Sequence, residues 1–329
     1  MTKIDVLGGG ITGLWQAFLL TSSGFKVRLI EKSAHPFEDA ASNIAGAMLA
    51  PYCECEPSDK LLLSLGTKSL ALWRASPFEI SNKGTLVFTN ARDAQELDAF
   101  ANRTSSHRLI ERKELSELEP DIAPRYARAL YYEDEAHLAP RQTLNEMLSC
   151  LKAKNVELCF GIDSKELDNA ETDYVIDCRG MGAKAELDGL RPVRGEMVVV
   201  RCSDIEISRP VRLLHPRMPC YIVPWPDHHY MIGATVIESE DQGPITVRSV
   251  LELLGSAFAV HPGFGEAQII EFSAGQRPAF ANNLPKIEVF GKTISVNGLY
   301  RNGFLLAPLL ADLVVTYIHT GEKNTELFQ

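Results

Sequence analysis

The start of the chain combines a strand pattern with a helix pattern. A short apolar run over residues 4–7 is followed by glycines, and apolar residues then recur at helical spacing over 11–19. Gly24 suits the left-handed end of such a helix, and alternating apolar residues over 25–29 lead up to Glu31. This order of patterns predicts a β-α-β unit.

Similar patterns continue to the end of the chain. Helices are predicted over 60–74, from Pro140, over 246–260 and after Pro308, and strands over 84–89, 129–133, 156–160, 174–178, 196–202, 219–225, 229–235, 268–274 and 294–298. We therefore expect the α/β class and two interleaved domains. An α/β domain would be built from 1–80, 140–190 and 278–329, and a mostly antiparallel sheet from 81–139 and 191–277.

Composition and charge narrow the function classes. The chain has 329 residues, enough for roughly two domains, and 45% hydrophobic with 23% charged residues is ordinary for a soluble protein. A net charge of −10 argues against a nucleic-acid partner. The longest apolar stretch, 303–318, is short and interrupted by Pro308 and Asp312, so no membrane span is expected.

Cysteine and histidine usage predicts no metal site. Seven cysteines at irregular positions, with no signal peptide pattern ahead of the first strand, indicate reduced thiols and a cytoplasmic protein. Cys53 and Cys55 are spaced C-x-C without a second pair, so we interpret them as ordinary buried or loop residues. His228 and His229 also lack companions at metal-ligand spacing.

A glycine fingerprint lies between the first strand and the first helix. Gly8 permits a tight turn, Gly10 lets the backbone approach a pyrophosphate, and Gly13 allows close packing of helix on strand. Glu31 ends the second strand, where an acid accepts the ribose hydroxyls and disfavours a 2′-phosphate. The fingerprint predicts a dinucleotide and leaves both NAD and FAD open. The small-residue segment 41–51 suggests close approach to a flat ring or a second phosphate contact.

Three polar residues of the second half suit a small acidic substrate. Tyr221 lies among apolar strand residues, Arg277 precedes Pro278, and Arg301 lies in a glycine-flanked turn before the last helix. Arginine binds a carboxylate bidentately, and a buried tyrosine adds a further hydrogen bond. Only the set, rather than any one of the three, points to a substrate site.

Taken together, the motifs resemble the D-amino-acid oxidase superfamily of flavoproteins, and within it the glycine oxidases of bacterial thiazole biosynthesis. The matching pieces run through the whole chain: Gly8 to Gly13 with Glu31, Ala41 to Pro51, Asp177 to Ala183, Arg191 to Glu196, Tyr221 to Pro224, Ile232 to Thr235, Arg277 with Pro278, and Arg301 to Pro308. The resemblance implies a Rossmann-type FAD-binding domain interleaved with a mostly antiparallel substrate domain.

The resemblance also implies a reaction and a set of site residues. It implies non-covalent FAD, oxidative deamination of a small amino acid or amine, reoxidation by molecular oxygen to give hydrogen peroxide, and a homo-oligomer. Arg277 would bind the substrate carboxylate, Tyr221 would hydrogen-bond it, and Arg301 would lie close to flavin and substrate. Further cofactor contacts would come from Ile11, Thr12, Lys32, Ser42, Ala45, Gly46, Met48, Val156, Gly180, Asn302, Gly303, Phe304 and Leu305.

Two departures from the family pattern bear on the substrate. Val236 stands where a methionine often follows the Gly-Ala-Thr stretch, and Pro219 stands where a histidine sometimes precedes the tyrosine. The alternatives are a dehydrogenase that uses another electron acceptor, a flavoprotein that acts on a polypeptide, and a plain NAD-binding module.

Overall fold

The computed structural model describes residues 1–54, 60–164, 171–215, 219–323 and 325–329. Its strands are β1 (Lys3–Leu7), β2 (Lys26–Glu31), β3 (Met48–Leu49), β4 (Thr85–Thr89), β5 (Arg108–Glu111), β6 (Arg128–Tyr132), β7 (Ala136–His137), β8 (Glu157–Phe160), β9 (Tyr174–Asp177), β10 (Arg191–Arg201), β11 (Val211–Leu214), β12 (Cys220–Trp225), β13 (His229–Gly233), β14 (Gln268–Ala279), β15 (Lys286–Phe290) and β16 (Thr293–Asn297). Its α-helices are α1 (Ile11–Ser22), α2 (Lys60–Ala75), α3 (Ala94–Arg103), α4 (Arg112–Leu118), α5 (Pro140–Ala153), α6 (Val247–Val260) and α7 (Gly303–Thr320).

The first sheet has six strands in the order β15-β16-β9-β1-β2-β8. All neighbours are parallel except β15 and β16, which pair antiparallel. Helices α1, α5 and α7 pack together beside it, and the core between them includes a cluster of edge-to-face rings formed by Trp15, Phe18, Trp73 and Phe78. This sheet places the glycine turn after β1 and the carboxylate at the end of β2 side by side.

The second sheet has eight strands in the order β14-β10-β13-β12-β11-β4-β6-β5. It is antiparallel except for the parallel pair of β4 and β11. Helix α6 packs on β10, β12 and β13. The mixed α/β class and the mostly antiparallel second sheet are therefore confirmed.

The strands of the two large sheets divide almost as the expected domain boundaries do, while β3 and β7 pair in a separate two-stranded sheet that joins the two expected domains. Every strand of the first sheet lies within 1–80, 140–190 or 278–329, and every strand of the second sheet lies within 81–139 or 191–277 except the last residues of β14. The division into domains at these boundaries remains a prediction.

The last helix begins earlier than its sequence pattern predicts. Helix α7 starts at Gly303, so the prediction that it follows Pro308 is wrong. A proline inside a helix leaves the carbonyl four residues earlier without its N–H donor. Here that carbonyl belongs to Phe304, and it accepts a hydrogen bond of 2.7 Å from the indole Nε1 of Trp73. The indole thus replaces the missing backbone donor and lets the helix run through the proline.

Helix α7 is also the one described helix long and apolar enough to cross a membrane. Half of its residues are buried, and it packs against α1 and α2. Its apolar character is therefore that of a helix in the core of this fold.

Candidate active site

One large cavity runs along the edge of the first sheet and reaches the second. It has a volume of about 800 Å³, within the range of small-molecule and cofactor sites. Its lining brings together Gly8, Gly10, Ile11, Thr12, Glu31, Lys32, Ser42, Ala45, Gly46, Met48, Gly180, Tyr221, Arg277, Arg301, Asn302, Gly303, Phe304 and Leu305. Residues that lie far apart in the sequence therefore line one cavity.

The glycine turn after β1 has the shape that a phosphate site needs. Gly8 has a φ of +96°, and a Cβ added there would lie 2.6 Å from the carbonyl oxygen of Cys178. A Cβ on Gly13 would lie 1.8 Å from the carbonyl oxygen of Gly8, so only glycine allows α1 to pack this closely. At Gly10 the nearest atom is Ser42 Oγ, 3.3 Å away, and the rest of that space is open. Gly13 thus serves packing, while Gly10 leaves room for a ligand.

Glu31 and Ser42 hold the backbone around this turn. The two carboxylate oxygens of Glu31 accept hydrogen bonds from the amides of Gly9 (2.6 Å) and Ser33 (3.0 Å). Ser42 Oγ accepts a hydrogen bond from the amide of Ile11 at 3.2 Å. The N-cap residue of α1, Gly10, has no capping side chain, and among the described side chains Ser42 binds only the amide of Ile11 at this helix end. The partial positive charge of this helix end is therefore available to an anionic ligand.

A second helix N-terminus lies on the same cavity. Asn302 precedes α7 without a side-chain cap, and the first turn of the helix contains no acidic residue. The turn before it is built by Gly298, with a φ of +77°, and Tyr300, with a φ of +51°. A Cβ on Gly298 would lie 2.2 Å from the Phe280 ring, which makes glycine necessary there. Two uncapped helix ends at one cavity suit a ligand with negative charge at separate positions.

These features fit FAD. The open space at Gly10 and the free end of α1 suit a pyrophosphate, and Glu31 lies where ribose hydroxyls are bound. The free end of α7 suits the negative charge that a reduced flavin ring develops. Gly46 lies close to the ring of Tyr221, since a Cβ there would lie 3.2 Å from the ring edge, which is a tight contact.

Arg277 and Tyr221 come to the cavity from two strands of the second sheet, β14 and β12. The guanidinium of Arg277 lies flat on Gly195, where a Cβ would lie 2.2 Å from Nη2, and Nη1 donates a hydrogen bond of 3.0 Å to the carbonyl of Thr235. Burial lowers the pKa of Arg277. Burial raises the pKa of Tyr221, against the opposing charges of Arg277 and Arg301, so its hydroxyl stays protonated and can donate a hydrogen bond.

Arg301 is held by an acid that the sequence analysis did not single out. Glu54 forms an ion pair with Arg301 and a second with Arg212, whose Nη1 lies 2.8 Å from Oε1. Burial alone would raise the pKa of Glu54, but Arg301 and Arg212 lower it overall. Glu54 lines the cavity with Tyr221 and Arg277. In the sequence, Glu54 lies between Cys53 and Cys55, and the pattern suggests a role only for the two cysteines. The ion pair with Arg301, which is distant in the sequence, is what identifies Glu54 as part of the candidate site.

The chain before Glu54 is itself fixed by a buried acid. Oε1 of Glu135 accepts hydrogen bonds from the amides of Tyr52 (2.9 Å) and Cys53 (2.7 Å). Glu135 is fully buried and its Oε2 has no hydrogen-bond partner among the described residues. Burial raises the pKa of Glu135 to about 7, although these amides oppose the rise. The carboxyl group is therefore a structural support that lies behind the site.

Some residues singled out in the sequence lie elsewhere. The side chain of Val156 packs in the core of the first sheet, so the structure does not bring it to the cavity wall as the resemblance implied. Cys53 is buried with a free thiol whose pKa is raised by burial, and Cys55 lies outside the described residues. Among the described residues, no group of three or more histidine, cysteine, aspartate or glutamate side chains could hold a metal.

Comparisons with known proteins identify the family of this chain. The family model for FAD dependent oxidoreductases matches residues 3–317. A protein of Rhizobium etli named for thiamine biosynthesis, the oxidoreductase ThiO, is 45% identical over 325 residues, covering 98% of each chain. A glycine oxidase of Geobacillus kaustophilus is 24% identical over 368 residues, covering 98% of this chain and 94% of that one.

Solved structures share the fold. The crystal structure of glycine oxidase from Geobacillus kaustophilus superposes with a TM-score of 0.83 at 22% identity, covering 99% of this chain and 97% of that one. Iminodiacetate oxidase from a Chelativorans species superposes with a TM-score of 0.81 at 21% identity, covering 98% and 97%. The chain belongs to the family of FAD dependent oxidoreductases, with FAD as its cofactor.

Proposed function

We propose that this protein oxidises glycine or another small amino acid or amine and produces hydrogen peroxide, and that its product supplies the thiazole branch of thiamine biosynthesis. One observation carries the proposal: Arg277 and Tyr221 line the same cavity as the cofactor-binding turn, and no carboxylate pairs with Arg277 within the described ranges. The similarity to ThiO over nearly the whole chain supports the pathway.

The side chains suggest how a small amino acid is held. Nη1 of Arg277 is used by backbone carbonyls, and its remaining N–H groups have no partner among the described residues and can bind a substrate carboxylate. The protonated Tyr221 hydroxyl adds a third donor. Fixing the carboxylate in this way restricts the position of the α-carbon, and positioning of this kind can lower a barrier by several kcal/mol. The donors of Arg277 and Tyr221 therefore orient the reacting C–H bond without a side-chain base.

FAD supplies the redox chemistry when bound, because it accepts two electrons and passes them to oxygen. In the balanced reaction, a hydrogen leaves the α-carbon with its electron pair and a proton leaves the neutral amine, so that a C=N bond forms. Oxygen takes up the two electrons and two protons as hydrogen peroxide. Water then hydrolyses the imine to the oxo acid and ammonia.

An aerobic assay of the purified yellow protein tests the proposal. We expect glycine to yield peroxide, ammonia and the oxo acid in equal initial amounts, and an N-substituted analogue to release the corresponding amine in place of ammonia. Substrate consumption only with an added quinone, without peroxide, would identify a dehydrogenase instead. No turnover of any small amine would contradict the proposal and favour a polypeptide substrate.

A further inference from the structure

The cavity contains two arginines that differ in what they can bind. Arg277 makes hydrogen bonds only to the carbonyls of Arg194 and Thr235 within the described part of the chain, so its charge is not neutralised by a contacting acid. Arg301 instead forms an ion pair with Glu54. The two guanidinium groups lie close enough that the charge of Arg301 lowers the pKa of Arg277 further, after the larger effect of burial. One arginine is therefore available for a substrate anion and the other is occupied.

The acid that occupies Arg301 is rigidly placed. Only 12% of the Glu54 side chain is exposed, and Oε1 is also bound by Arg212 from β11. Nη1 of Arg212 donates a second hydrogen bond of 2.7 Å to the carbonyl of Cys53. Glu135 holds the preceding amides of Tyr52 and Cys53. The contacts of the carboxylate and of the two residues before Glu54 thus keep the carboxylate on Arg301 and limit its freedom to swing away when an anion approaches.

We propose that Glu54 restricts the site to substrates with a single carboxylate, because it holds Arg301 in an ion pair and places a negative charge where a second substrate carboxylate would bind. This inference rests on the proposed function, since it names the class of amine that the site accepts. An amino monocarboxylate such as glycine or sarcosine needs only Arg277. An amino dicarboxylate such as iminodiacetate would need to displace Glu54 from Arg301, leaving a buried carboxylate with only Arg212 of its two arginine partners, which is costly.

Binding of two unreactive ligands tests this directly. Methoxyacetate and diglycolate are oxygen analogues of sarcosine and iminodiacetate, and they differ by one carboxylate. Titration calorimetry of the FAD-loaded protein should show methoxyacetate binding at least about tenfold more tightly than diglycolate, given the usual strength of hydrogen bonds to charged groups. Diglycolate binding as tightly as methoxyacetate to the unaltered protein would overturn the inference, whatever happens to any variant.

Substitution of the acid should reverse this preference. In Glu54→Gln, Arg301 becomes available, and the diglycolate-to-methoxyacetate affinity ratio should rise by roughly ten- to a hundredfold. The ratio of kcat/KM for iminodiacetate over sarcosine should rise in parallel. Glu54→Asp, which retains the charge, should keep the original preference. The double variant Glu54→Gln with Arg301→Gln should lose the gained diglycolate affinity, since the two substitutions act on one interaction.

Glu271→Gln is the matched control. Glu271 also forms an ion pair with an arginine, Arg141, but it does not line the cavity. Its substitution should leave the ligand ratio unchanged. An equal gain in affinity for methoxyacetate and diglycolate in Glu54→Gln would overturn the inference. It would show that the loss of the negative charge favours any anion in the cavity, with no specific effect on a second carboxylate. If methoxyacetate does bind but no amine reduces the flavin, the proposed function fails while the ligand ratio still tests the role of Glu54.

Discussion

At the scale of single residues, the guanidinium of Arg277 is the group on which the proposed chemistry depends most. We expect Arg277→Ala to raise KM for the amino acid roughly a hundredfold, because two charge-assisted hydrogen bonds are lost, while FAD remains bound. Steady-state kinetics and the visible spectrum measure both effects. Arg108→Ala, which removes a surface arginine paired with Glu114, should change neither. Loss of the yellow colour with an unchanged KM would show that Arg277 serves the cofactor instead.

Glu135 gives a pH-dependent prediction. Its pKa is raised by burial to about 7 from the ordinary value of 4.5, so the folded protein retains a proton that the unfolded chain releases. The stabilisation from this protonation is complete below about pH 4.5 and is lost as the pH rises through 7. The unaltered protein therefore loses this stabilisation as the pH rises, whereas Glu135→Gln does not. The free energy of unfolding of Glu135→Gln minus that of the unaltered protein should increase by up to about 3 kcal/mol from about pH 4.5 to pH 8. Urea titrations across this range measure it, and a difference independent of pH would contradict the shifted pKa.

Residue types alone pointed to part of the candidate site. Tyr221, Arg277 and Arg301 stood out because arginine and tyrosine side chains bind carboxylates, and all three line the cavity. Glu54 did not stand out, because its meaning depends on an arginine that lies 247 positions later in the chain. A single sequence carries no local signal for such a pair, and only folding brings the two residues together.

At the scale of elements, the entry into α7 depends on a hydrogen bond from another helix. Trp73→Phe keeps the aromatic packing but leaves the buried carbonyl of Phe304 without a donor, since Pro308 cannot supply one. We expect a loss of about 1–3 kcal/mol in the free energy of unfolding, measured by urea titration. Adding Pro308→Ala restores a backbone N–H. The double variant should therefore lose less free energy of unfolding than the two single variants lose together. Strict additivity would contradict this explanation.

The first helix permits a comparison of two glycines. Gly10→Val should yield a folded but colourless protein, because its Cβ would enter the open space at the end of α1. Gly13→Ala should instead destabilise the fold, because its Cβ would lie 1.8 Å from the carbonyl oxygen of Gly8. Circular dichroism and flavin absorbance separate the two outcomes. Gly10→Val that still binds FAD tightly would contradict the assigned role of this turn.

Elements were predictable where their signals are local. The β1-α1-β2 unit followed from its glycines and its apolar spacing, and the structure has it at Lys3–Glu31. Strands β5, β11 and β15 were not predicted, because they are short and depend on pairing with distant strands for their stability. The start of α7 was misplaced because Pro308 normally marks a helix boundary, whereas Trp73 removes that constraint here.

At the scale of the whole molecule, two sheets meet at one cavity. The first sheet contributes the turn at Gly8 and the carboxylate of Glu31, and the second contributes Tyr221 and Arg277. Helix α7 links the two functions, because its N-terminal turn lines the cavity next to Arg301. The interleaved order of segments in the chain thus places the residues proposed to bind the cofactor and those proposed to bind the substrate around one cavity.

Anaerobic titration of the purified protein with glycine, sarcosine and D-alanine tests the central claim most directly, because it follows the flavin itself and needs no assumption about the final acceptor. We predict that at least one of these amino acids bleaches the visible flavin band completely, and that Arg277→Ala needs roughly a hundredfold more of it for the same bleaching. A flavin that stays oxidised with all three, or that Arg277→Ala bleaches as readily as the unaltered protein, would contradict the claim that this arginine presents a small amino acid to FAD.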